Sequence, residues 1–296
     1  MRVIILGSDT PLGIALTGQL ELLERHELIL LSSSACRWKS ERQAKKSIVR
    51  AKSELCVDLR IEAAGYGGLQ IQDTDLKRTH WVAKACQRTE TALLYVSSSR
   101  VFSGQLDRPY VETDEPDNEE TIGQMLTQAE GLARGCERHC ILRLGPVFSA
   151  QGANLISQLL EPLREGDSLI MDNNLRGSPV AAGDAARVIS GLLDQLGTGL
   201  EMWGTYHYGS ADTATYYEFA EALLAAASQF SEFSSSAVQL EKESERMPPR
   251  NRTLECSKIR DEFAIRQVPW RGAIGDLVKH YYEQSITEDS HGQVNR

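Results

Sequence analysis

The chain has 296 residues, 41% apolar and 25% charged, a balance that supports a substantial core and one large domain or a large and a small one. A formal charge of -9 argues against a general nucleic-acid binder, which needs a dominant basic surface to neutralise phosphates. No run approaches the roughly 18 uninterrupted apolar residues of a membrane span, and the apolar start VIILG meets Ser8 and Asp9 instead of a cleavage region, so a cytoplasmic protein without membrane contact is expected.

Val3 to Leu6 is a short apolar run, as a parallel strand buried on both faces requires, and Leu12, Leu16, Leu20 and Leu23 follow at helical spacing. Glu27 to Leu31 reads as a second strand. The segment from Arg37 to Lys52 carries Arg37, Lys39, Arg42, Lys45, Lys46, Arg50 and Lys52 against Glu41 alone, a pattern read as a solvated helix face. Glu54 to Leu59, Ala92 to Val96 and Cys140 to Leu144 read as further strands, with helices over Asp75 to Thr89 and Thr121 to Arg134 between them. This alternation predicts an α/β fold with a parallel sheet covered on both faces. Beyond it, Ile156 to Leu163, Thr215 to Phe230 and Ala273 to Tyr282 read as helices, and the polar residues 284–296 as a disordered tail.

The six cysteines are scattered, and reduced thiols are expected. Cys136, His139 and Cys140 have no second Cys/His pair to complete a tetrahedral site, so they read as residues leading into a core strand and no metal is expected.

In GSDTPLG, Gly7 closes the first strand and Gly13 falls in the first helical turn, whose free N–H groups and dipole favour a pyrophosphate. Asp9, Thr10, Pro11 and Leu12 complete this candidate cofactor loop. Thr10 holds the place of the middle glycine, where a side chain limits approach to a phosphate. At the end of the second strand, Ser32, Ser33 and Ser34 stand where NAD-binding units carry an acid, and Arg37 and Lys39 follow. Hydroxyls and a guanidinium suit a 2'-phosphate, which predicts NADP(H) in preference to NAD(H).

Several longer motifs agree with this start: VSSSRVFSG at 96–104, PYVETDEP at 109–116, ILRLGPVFS at 141–149, RGSPVAAGDAARVI at 176–189, GTYHYGSADTATYYEFAEAL at 204–223 and PWRGAI at 269–274. On these the chain resembles the dTDP-4-dehydrorhamnose reductases, extended short-chain dehydrogenases that reduce a nucleotide-linked keto-sugar with NADPH. The resemblance implies a Rossmann-type doubly wound sheet over residues 1–150, to which 176–208 return, and a smaller α/β substrate lobe from 151–175 and 209–283.

It also implies a Tyr-x-x-x-Lys pair on a helix and a hydroxyl after a core strand. The hydroxyl is present as Ser98, although Ser99 replaces the family's aspartate and Arg100 its aromatic residue. The pair is not: Ile122 stands for tyrosine and Leu126 for lysine, and neither transfers a proton. Tyr95, Tyr110, Tyr206, Tyr208, Tyr216 and Tyr217 lack a lysine three or four residues on. The family's Asn-Ala-Ala falls either on Asp58-Leu59-Arg60 or on Glu62-Ala63-Ala64. The main expectation is therefore a catalytically silent relative that binds NADP(H) or a nucleotide sugar in a regulatory role. The alternative is an NADPH-dependent reductase or epimerase with a displaced proton donor. A scaffold that binds no nucleotide, acting through its carboxy-terminal lobe or basic helix on a protein partner or a second copy, is the third.

Overall fold

The apolar run at the amino terminus forms β1 (Arg2–Leu6), whose Val3 to Leu6 side chains are wholly buried. The structure is a computed structural model that describes residues 1–61, 71–199, 201–234, 237–241 and 249–292, with side chains to residue 284. After β1 come α1 (Pro11–Leu23), β2 (Glu27–Leu31), α2 (Glu41–Ala51), β3 (Leu55–Asp58), α3 (Asp73–Thr89), β4 (Ala92–Ser98), α4 (Thr121–Ala133) and β5 (His139–Leu144). The second half contributes β6 (Val147–Phe148), α5 (Leu155–Arg164), β7 (Leu169–Met171), β8 (Leu175–Gly177), β9 (Val180–Ala181), α6 (Ala182–Gly197) and β10 (Gly204–Tyr208). It closes with β11 (Ala214–Thr215), α7 (Tyr216–Ala227), β12 (Val238–Leu240), β13 (Arg250–Asn251), α8 (Ser257–Phe263) and α9 (Arg271–Gly292).

Six of these strands form one parallel sheet in the order β2-β1-β3-β4-β5-β10, the doubly wound α/β arrangement. The strand order reverses between β1 and β3. Leu6 lies opposite Leu31 on one side and Asp58 on the other, so the loops after these three strands open at one level, where such sheets bind ligands. Among the described residues no strand pairs with the outer side of β2, the position that a third strand fills in the usual dinucleotide-binding order. Helix α1 packs on α6, while α2, α3 and α4 pack in series.

A second buried cluster gathers Phe148, Leu155, Ile156 and Leu160 around Phe219, Leu223, Trp270 and Val278. Helix α8 belongs elsewhere, since Ile259 and Phe263 are buried with the sheet. Helix α9 runs to Gly292, past the Tyr282 at which the apolar pattern ends. It takes in most of the segment expected as a disordered tail, because helix propagation costs little once the buried Val278, Tyr281 and Tyr282 have fixed its first turns. Residues 293–296 lie outside the described residues.

Candidate functional site

The loop from Gly7 to Gly13 is built as a tight cradle. Gly7 has φ +82°, a backbone conformation that favours glycine. A Cβ on Gly13 would lie 2.2 Å from the Gly7 carbonyl oxygen, so only glycine lets α1 start this close to the end of β1. Pro11 fills the first helical position, where a missing N–H is no loss, and Leu12 is buried behind it. Thr10 folds its side chain into the loop: Oγ1 donates to the Gly7 carbonyl at 2.9 Å and accepts from the Gly13 amide at 3.1 Å. The hydroxyl thus takes one of the helix's free donors. The residues present fit a dinucleotide pyrophosphate, with one amide fewer than a glycine at position 10 would leave.

At the end of β2 the hydroxyls are engaged. Ser33 donates its amide (2.6 Å) and its hydroxyl (2.7 Å) to one carboxylate oxygen of Asp9, while the Ser32 and Ser34 hydroxyls bond each other at 2.9 Å. Burial would raise the Asp9 pKa, but the two Ser33 bonds outweigh it and hold the carboxyl below its ordinary value, helped by the field of Arg37. Arg37 itself is exposed.

Asp58 ends β3, which puts Asp58-Leu59-Arg60 at the mouth of the crevice; Glu62 to Ala64 lie outside the described residues. Arg60 does not project toward a ligand. Its guanidinium turns inward onto Asp58 at 2.8 and 2.6 Å, reaches Thr79 at 3.3 Å and stacks over Trp38. The charge that would stand near a cofactor is neutralised inside the protein.

Ser98 and Ser99 follow one another at the end of β4 with different surroundings. Ser98 is buried, and its hydroxyl accepts the Arg100 amide at 3.2 Å, capping a short 3-10 turn. Ser99 and Arg100 line a cleft. Helix α4 runs beside this turn, with Leu126 buried and Ile122 partly buried, both packed against the core. Ile122 and Leu126, which the resemblance sets in the places of the tyrosine and the lysine, are packing positions.

The cleft opens between the end of β4 and the second cluster, with about 400 Å³ of space counted together with the open solvent at its mouth. Arg100, Arg176 and Arg252 line it, together with an apolar wall that includes Leu155, Leu175 and Phe219. Arg176 bonds Glu218 at 2.8 Å. Arg252, side chain 9% exposed, reaches Glu120 only at 3.4 Å and leaves its buried Nε without a partner. No sequence signal marks this set, because its members are far apart in the chain and follow no spacing rule.

The tyrosines also separate. Tyr95 is sealed in the sheet, its hydroxyl buried and unpartnered and its pKa pushed up by burial. Tyr110 stacks on Phe102 and accepts the Gly104 amide. Tyr206 is tied to Glu262, Tyr208 to Asp184 and Tyr217 to Glu221. Of the six, Tyr216 lines the cleft.

The RmlD substrate binding domain model matches residues 1–283. A dTDP-4-dehydrorhamnose reductase of Aggregatibacter actinomycetemcomitans is 23% identical over 291 residues, covering 93% of this chain and 98% of that protein. Among solved structures, a dTDP-4-dehydrorhamnose reductase from Clostridium acetobutylicum superposes with a TM-score of 0.77 at 17% identity, covering 94% of this chain and 99% of its own. One from Bacillus anthracis, in complex with NADP, gives 0.75 at 18% identity, covering 93% and 96%. Among the described residues no helix is long and apolar enough to cross a membrane.

Proposed function

We propose, for a chain that belongs to the RmlD substrate binding domain family, a reductase or epimerase of a nucleotide-linked keto-sugar that uses a nicotinamide dinucleotide and a proton donor displaced from α4. The observation that carries this reading is the cleft in which Ser99 and Arg100 of the sheet end face Arg176, Arg252 and Tyr216. Guanidinium groups match a sugar diphosphate in charge and in fork geometry. A bound dinucleotide on the Gly7–Gly13 loop supplies hydride. The chain's own residues then have one task, to hold and protonate the oxygen that becomes a hydroxyl. Tyr216 offers the O–H, and Arg252 offers a fixed positive charge that stabilises developing alkoxide.

The test is oxidation of NADH or NADPH in the presence of a dTDP-linked keto-sugar, by the wild type and by Tyr216→Phe. Turnover that falls about 10²-fold to 10⁴-fold in the variant supports the reading, that being the usual size of general-acid assistance. Absence of turnover in the wild type overturns it.

A second reading is favoured by the packing of Ile122 and Leu126 against the core. It is a relative that binds the same ligands without turning them over, in a regulatory role. Here both ligands bind, no nicotinamide is oxidised, and Tyr216→Phe changes nothing but affinity.

A further inference from the structure

The Gly7–Gly13 loop is fastened to the end of β2 at four points. Leu31 accepts the amides of Gly7 (2.8 Å) and Ser8 (3.1 Å), and Asp9 accepts the amide and hydroxyl of Ser33. The fastening decides which charge stands at the end of β2. In a dinucleotide-binding unit this is the seat of the adenosine ribose, where an acid takes the free 2'-hydroxyl or a basic group takes a 2'-phosphate. The sequence pattern places hydroxyls and Arg37 there. In the structure the Ser33 hydroxyl and amide already donate to Asp9, the Ser32 and Ser34 hydroxyls engage each other, and two charged side chains are exposed at this seat, Arg37 and the Asp9 carboxylate that Ser33 holds in place.

We infer that Asp9, supplied by the glycine loop and oriented by Ser33, is the cofactor-specificity residue of this protein and selects a dinucleotide with a free ribose 2'-hydroxyl, NAD(H), over its 2'-phosphorylated counterpart. The inference rests on the dinucleotide reading of the loop given above. A carboxylate fixed by two charge-assisted hydrogen bonds is preorganised to accept ribose hydroxyls through its second oxygen. The same carboxylate repels a 2'-phosphate, and Ser33 has no donor left to offer it. Arg37 is the group that opposes this preference, and its field already acts on Asp9.

The experiment is a pair of binding titrations of the full chain, with NADH and with NADPH, followed by energy transfer from protein tryptophan to the reduced nicotinamide. Asp9→Asn and Asp9→Ala are titrated alongside, with thermal unfolding to show that both variants are folded. The wild type is expected to bind NADH at least about tenfold more tightly than NADPH, a modest share of what like-charge contact costs. Asp9→Asn, which keeps the shape and removes the charge, is expected to erase most of that ratio by gaining NADPH affinity, and Asp9→Ala to erase it by losing NADH affinity as well. Binding of both cofactors with NADPH equal or tighter in the wild type, or with a ratio that neither variant changes, overturns the inference alone. Failure of both cofactors to bind the wild type removes the dinucleotide reading together with it.

Discussion

Glu130 of α4 and Arg143 of β5 form a two-point ion pair in the interior, 2.9 Å from Nε to Oε1 and 2.8 Å from Nη2 to Oε2, with neither side chain more than 1% exposed. The Ser97 hydroxyl donates to the same carboxylate at 2.7 Å. Three elements, α4, β4 and β5, are thus pinned together one residue before Ser98. Arg143→Met would leave a buried carboxylate with Ser97 and the half-exposed Arg134 at 3.2 Å. Removing one partner of a buried pair typically costs about 3–5 kcal/mol, and the variant is expected in the lower part of that range because Arg134 remains. Denaturant unfolding measures it, and a loss under about 1 kcal/mol would show that the pair is not what holds α4.

His207 adds a pH dependence to the same region. Arg143 Nη1 lies 3.3 Å from Nε2, and an arginine can only donate, so Nε2 accepts and Nδ1–H donates to the Tyr110 carbonyl at 3.1 Å. Burial first, and the Arg143 charge second, bring its pKa down to about 3 from the ordinary 6.5. Between these two values the unfolded chain binds a proton that the native state refuses. The contribution is therefore complete above pH 6.5 and is lost as pH falls toward 3. His207→Gln is expected to flatten the fall in stability across that window, by up to about 1.4 kcal/mol per pH unit relative to wild type. Parallel stability-against-pH curves for the two proteins would contradict the assignment.

Two glycines of α1 make a matched test of the loop. A Cβ at Gly13 would strike the Gly7 carbonyl and the Ser8 backbone, whereas Gly18 has nothing within 4 Å. Gly13→Ala is expected to destabilise by about 1–3 kcal/mol, as overpacking does. Gly18→Ala should stabilise by about 0.5–1 kcal/mol through lower backbone entropy in the unfolded chain. Thermal unfolding of both variants checks the pair, and equal effects would mean that the loop can open without cost.

Five of the six sheet strands were legible because they are apolar runs: β2 falls on Glu27 to Leu31 as the pattern predicts, and β1, β3, β4 and β5 differ from the predicted spans by two residues at most at either end, whereas β10, with the sequence GTYHY, carries no such run and was not read as a strand. The loop was legible because glycines that must be glycine leave a mark in sequence. What sequence could not show is where polar side chains spend their hydrogen-bonding capacity. Ser33 reads as a phosphate ligand until Asp9 is seen to hold it, and nothing in the sequence tells that Asp58 turns Arg60 inward. The cleft arginines were hidden for a different reason. Arg100, Arg176 and Arg252 meet only through tertiary packing, and no local period encodes it.

Leu126 is 1% exposed and Ile122 partly buried, so restoring a tyrosine and a lysine at these places asks different things of the fold. Ile122→Tyr can swing its larger ring toward solvent and should change stability by about 1 kcal/mol or less. Leu126→Lys must either bury an ammonium or deprotonate it, and should cost about 3–5 kcal/mol. The double variant is then expected to unfold well before Ile122→Tyr alone and to gain no turnover, since Leu126 lies in apolar packing where a lysine has no polar space in which to act. A double variant that stays as stable as wild type and turns over a dTDP-linked keto-sugar faster would show that the old site survives beneath two substitutions. That result would move the proton donor from Tyr216 back to α4.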